Sequence, residues 1–157
     1  MDAIRIRDAL DQLVIADAAW HSSPAEIARY REQLEAMATA REHSDAAAFM
    51  KANWRLHELI VQVNPSPMLR AIYIALLELI RSHAIGVKAA NDQSEAQLMD
   101  TRHRVHVDLV DAIADGGDER LHRAIVAHSV EHANDYQRHD KHRTPNDPTA
   151  AGRESSL

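Results

Sequence analysis

The sequence contains no cysteine, which excludes disulfides and thiolate metal sites and fits a reducing, cytoplasmic setting. Aromatic residues make up only 4 %, and there are four glycines. Strands draw on aromatic and β-branched residues, so this scarcity argues against a sheet protein. No stretch approaches the roughly 20 apolar residues of a membrane span. The opening MDAIRIRDALDQ lacks the apolar core of a signal peptide. Positive charge is not in excess: 18 Lys and Arg stand against 24 Asp and Glu, a formal net charge of -6. These residues therefore offer no broad basic field with which to grip nucleic acid. HExxH, a nucleophile elbow and a phosphate-binding loop are all missing.

What is present is ordinary in bulk and unusual in one residue. The 157 residues are 45 % hydrophobic and 27 % charged, enough for one soluble domain with a real core. Eleven are histidine, more than chance composition supplies.

Periodicity and stop signals divide the chain into six helices. The first spans 3–20, with Leu10, Leu13, Val14 and Ala18 at helical spacing. Ser23-Pro24-Ala25-Glu26 is a capping box with proline at the first helical position, and Ile27, Tyr30, Leu34 and Met37 follow as one stripe. Ser44-Asp45 caps a third helix whose inward residues are Phe49, Leu56, Ile60 and Val63. Asn64-Pro65-Ser66-Pro67 ends that helix and opens a fourth over 67–87, with Ser66 as its cap. This fourth helix is apolar on most sides and is expected at the centre of the bundle. Ser94-Glu95-Ala96-Gln97 reads as a second capping box for a fifth helix ending near Asp115. Gly116-Gly117 breaks the chain, and Asp118 caps a sixth helix reaching 138. Residues 139–157 are polar, contain proline and lack periodicity, which predicts a disordered tail after a single domain over 1–138. The fold class is all-α, an antiparallel bundle.

Four residues stand out. Asn53 and His57 are four apart on the third helix and share a face with Met50 and Val61. His106 and His128 lie at nearly equal distances from the Gly116-Gly117 break, so an antiparallel hairpin brings them level. Three imidazoles and an amide oxygen from separate helices can hold one divalent ion, of the zinc, nickel or manganese class. An open position would admit a ligand carboxylate. Each histidine taken alone has an ordinary structural use, and His128 with His132 forms a competing i,i+4 pair. Arg81, His83 and Arg102 are candidates for an effector carboxylate, because arginine presents a planar fork, although a solvent-facing or ion-paired side chain is the commoner use of such positions. A small helical metalloenzyme, with Glu131 as its nearest general base, is one rival reading, and a stand-alone dimerisation module without effector response is another.

These residues carry a resemblance. NWRLHELIVQVNPSPML resembles a family stretch in which a ligand Asp precedes a His by four and an Asn-Pro break follows. HVDLVDAIADGGDERLHRAIVAH resembles a later stretch with a helix break between two histidines. RDALDQLVIADAA is similar to an opening Arg-x-x-Leu-Glu helix, with Asp11 in place of Glu. The family is the FCD domain, the effector-sensing half of FadR-type GntR transcriptional regulators. The resemblance implies a bundle of six or seven helices around a central polar cavity. It implies a metal held by Asn53, His57, His106 and His128, and a small organic acid bound at the metal; Arg81, Arg102 and His132 are the candidate effector contacts that residue type and position add. It also implies a homodimer, and DNA contact only through a winged helix-turn-helix that these residues do not supply. In this family a sensor, not an enzyme, is expected. Asn53 stands where Asp is usual, removing one negative charge and favouring an anionic effector.

Overall fold

The computed structural model describes residues 2–84 and 92–140, with side chains described for Ala3, for 5–82 and for 95–131. Six helices make up the described chain: α1 (Asp2–His21), α2 (Pro24–Glu42), α3 (Ala46–Gln62), α4 (Pro67–Ala84), α5 (Asp92–Asp115) and α6 (Asp118–Asp140). No strand occurs among these residues. The tail expected from 139 has its first two residues within α6, and 141–157 lie outside the described residues.

Local chemistry explains most boundaries. At α2 the Ser23 hydroxyl accepts the Glu26 amide while the Glu26 carboxylate accepts the Ser23 amide, a reciprocal cap. Asp45 caps α3 by accepting from the Ala48 amide. Ser44 lies just before it in the left-handed region at φ 54°, in the turn that follows α2. Ser66 caps α4 through the Leu69 amide. Two expected caps are displaced. α5 begins at Asp92, which puts Ser94 inside the first turn. α6 takes its first carbonyl from Gly117, whose oxygen accepts the Leu121 amide, so Asp118 is a first-turn acid facing the positive end of the helix dipole. The α5–α6 turn depends on Gly116 at φ 65°, a conformation costly to any residue with a Cβ.

Two hairpins, α2–α3 and α5–α6, form the broadest helix contacts, and α2 also packs on α5. Short links between packed neighbours make each hairpin antiparallel. The central helix is α1, which touches α3, α4, α5 and α6. This corrects the expectation for α4, which among the described residues packs on α1 and α3 alone and leaves Met68, Ile72 and Leu79 exposed. The physical reason lies in α1, whose buried stripe is Arg7, Asp11, Val14 and Ala18. Its first two members are charged, so hydrophobicity alone points the helix the wrong way. Leu13, expected inward, is 57 % exposed. The core fills the space between the hairpins with Tyr30, Met37, Phe49, Leu56, Ile60, Leu109 and Ile113.

Candidate metal centre

Three helices deliver three imidazoles to one point in the interior. His57 enters from α3, His106 from α5 and His128 from α6, and none is more than 1 % exposed. Their ring centroids form a near-equilateral triangle with sides of 5.1, 5.1 and 4.9 Å. One ring nitrogen from each lies within 4.8 Å of the others. The His57 and His106 Nε2 atoms are 3.0 Å apart, about the separation of two nitrogens sharing a metal ion at roughly 2.1 Å each.

The far side of each ring is held as well. His106 Nδ1 donates to the Arg102 carbonyl at 2.7 Å, which fixes the proton on Nδ1 and leaves an Nε2 lone pair facing inward. His57 Nδ1 meets the Tyr73 hydroxyl at 3.5 Å, and that hydroxyl donates to Asp11 Oδ1. His128 Nδ1 lies 3.5 Å from Asp11 Oδ2. A carbonyl and a hydroxyl thus meet the backs of two rings and a carboxylate lies near the third, the kind of outer shell that histidine metal ligands use.

Electrostatics keep the triad neutral. Burial, reinforced by the positive charge of Arg7, holds His57 well below the ordinary imidazole range. Burial pushes His106 down to about 3 and His128 strongly downward. Neutral imidazole is the ligating form. Asn53 lies one turn before His57 on the same face of α3 and is 2 % exposed. Its buried Oδ1 has no hydrogen-bond partner. Native interiors rarely leave such an oxygen unmade, and a cation within its reach would satisfy it. The donor set of three imidazole nitrogens and one amide oxygen suits a divalent ion.

The structure brings His57, His106 and His128 together and buries Asn53 beside them on α3. It does not bring Arg81 there. That side chain is half exposed on α4 and pairs with Glu78 at 2.6 Å, an i,i+3 surface contact. Arg102 is buried one turn before His106, but its guanidinium is engaged by Glu131 Oε1 at 2.9–3.0 Å and contacts Met50 Sδ at 3.2 Å. That ion pair also occupies Glu131, the carboxylate considered as a general base. The side chains of His132 and His83 lie outside the described residues.

Sequence reasoning missed Arg7 and Tyr73 and saw Asp11 only as a family variation. Arg7 Nη2 reaches His57 Nε2 at 3.0 Å, its Nε lies 3.5 Å from Asp11 Oδ2, and its guanidinium sits 5.9 Å from the Trp54 ring centre. The available signal was the 7–11–14–18 spacing, which puts Arg7 and Asp11 on the face of Val14 and Ala18.

The FCD domain model matches residues 2–131, nearly all of the described chain, and the chain belongs to that family. FCD domains are the effector-binding halves of GntR-type regulators, and this chain carries that regulatory class. No curated protein and no solved structure matches it. No described helix is long and apolar enough to cross a membrane.

Proposed function

We propose that this domain binds a divalent metal ion through Asn53, His57, His106 and His128, and senses a small organic acid at that ion on behalf of a dimeric cytoplasmic transcription regulator. The convergence of three buried, neutral imidazoles, each with a polar group close behind it, is the observation that carries this reading. When bound, the ion supplies a fixed positive charge with positions left for a carboxylate oxygen. The protein side is charge-balanced: Arg7 faces Asp11, Arg102 faces Glu131, and the four ligand side chains are neutral. Divalent charge therefore remains uncompensated until an anion arrives. That balance favours an acid over a neutral effector. Sensing requires no chemistry on the ligand, and Glu131, the carboxylate weighed as a general base, is held by Arg102.

The test is thermal-shift and calorimetric titration with small carboxylic acids, with and without zinc. Acids are expected to bind only the metal-loaded protein; equal binding after chelation would overturn this reading. A companion result is expected of Asn53→Asp, which restores a charged ligand. It should tighten zinc on the order of tenfold, about 1.4 kcal/mol, a small part of the attraction between a carboxylate and a divalent ion. Looser binding would remove Asn53 from the ligand set.

A further inference from the structure

Helix α4 supplies none of the four proposed ligands, yet its Tyr73 reaches the centre. The side chain is 1 % exposed, its hydroxyl donates to Asp11 Oδ1, and its oxygen lies 3.5 Å from His57 Nδ1. A phenol carries one proton. With that proton given to Asp11, the hydroxyl presents only lone pairs to His57. The contact is favourable when His57 Nδ1 carries the ring proton and donates it, which leaves a lone pair on Nε2. The other edge of the ring agrees: Arg7 Nη2 lies 3.0 Å from His57 Nε2, and a guanidinium only donates. One neighbour pulls the other way. His106 Nε2 also lies 3.0 Å from His57 Nε2 and turns a lone pair inward, because its Nδ1 proton serves the Arg102 carbonyl. Moving the His57 proton to Nε2 would make a hydrogen bond between the two imidazoles. That bond would tie up two ligand nitrogens at once. The second oxygen of Asp11 lies 3.5 Å from His128 Nδ1, so one carboxylate stands behind two of the three rings.

We propose that Tyr73 is a positioning residue of the metal centre: anchored on Asp11, its hydroxyl holds the His57 proton on Nδ1 and keeps the Nε2 lone pair aimed at the ion. The inference rests on the metal reading given above. Without the hydroxyl, the His57 proton gains by crossing to Nε2, where His106 accepts it. A divalent ion then has to send that proton back to an Nδ1 that faces no hydroxyl, so its affinity falls. Outer-shell partners of histidine ligands are worth about 10–100-fold in metal affinity. Tyr73 is also the point where α4, packed on α1 and α3, enters the site.

The experiment compares wild type with Tyr73→Phe, and uses His57→Gln to assign the His57 signals. Long-range proton–nitrogen NMR correlation on metal-free, histidine-labelled protein reports which ring nitrogen carries the proton. Chelator competition gives the zinc affinity, and circular dichroism gives helix content and melting. Wild type is expected to show His57 protonated on Nδ1. Tyr73→Phe should move His57 toward the Nε2 form, leave His106 protonated on Nδ1, and bind zinc at least about tenfold more weakly. A Tyr73→Phe protein with either the His57 tautomer or the zinc affinity unchanged overturns the proposal, that being the result of a hydroxyl that only packs α4 against α1. An Nε2-protonated His57 in wild type overturns it too, and this measurement decides the matter even if Tyr73→Phe fails to fold. In those cases zinc binding by wild type leaves the metal centre standing. Failure of wild type to bind zinc overturns the metal reading itself, and this inference falls with it.

Discussion

Glu131→Ala is expected to destabilise the domain by about 3–5 kcal/mol, because it takes from the buried Arg102 guanidinium the carboxylate it pairs with across the helices. The pair joins α5 to α6 at 2.9 Å, with both side chains less than a tenth exposed. For a chain of this size the loss corresponds to a fall in Tm of roughly 10 °C. A double replacement, Arg102→Met with Glu131→Leu, should recover most of the loss, since removing both ions also removes the cost of burying them. Chemical denaturation of the four proteins in the cycle measures the coupling directly. A single-variant loss under about 1 kcal/mol would mean that solvent reaches the pair. Zinc binding serves as the second readout, because the carbonyl of Arg102 orients His106 and its side chain sits one turn away.

Acid lability is the second large effect. In the metal-free protein His57, His106 and His128 stay neutral through the range where free histidine titrates, with His106 pushed down to about 3. The unfolded chain takes up those protons as pH falls through about 6.5, while the folded chain does not, so stability is full above that pH and drains away below it. Each histidine contributes up to about 1.4 kcal/mol per pH unit. Two carboxyl groups work in the other direction. Burial raises Asp8 to about 6 and raises Asp11 as well, so the folded chain protonates them before the unfolded chain does. That gain offsets part of the loss from about pH 6 downward. The net expectation is a loss of about 2–3 kcal/mol between pH 7 and 5.5. Thermal melts across that range check it. A flat Tm would mean that the imidazoles exchange protons freely with solvent.

How much of this was legible depended on what marked each residue. The α5–α6 hairpin could be read because its turn is announced by two glycines, and equidistance from a turn places His106 level with His128. Asn53 and His57 could be read because an i,i+4 pair on an amphipathic helix shares its buried face. The position of α4 could not. Its apolar residues surround the helix and carry no direction, and they end up partly exposed at Met68, Ile72 and Leu79. Arg7 escaped notice for the complementary reason. A buried ion pair mimics a solvent-facing one in sequence, and only the continuation of its stripe into Val14 and Ala18 tells the two apart. Tyr73 is the polar member of an otherwise apolar inner face of α4, and its hydroxyl matters only once Asp11 is known to lie opposite.

The metal content of the purified protein bears on all of this most directly. Elemental analysis of tag-free wild type, reconstituted with zinc, nickel or manganese and freed of excess ion, should give about one ion per chain. His106→Ala and His128→Ala should each lose it while keeping the helical circular dichroism of the parent. If both variants retain the ion, or wild type never takes one up, the three imidazoles are core residues and the regulator senses its effector elsewhere.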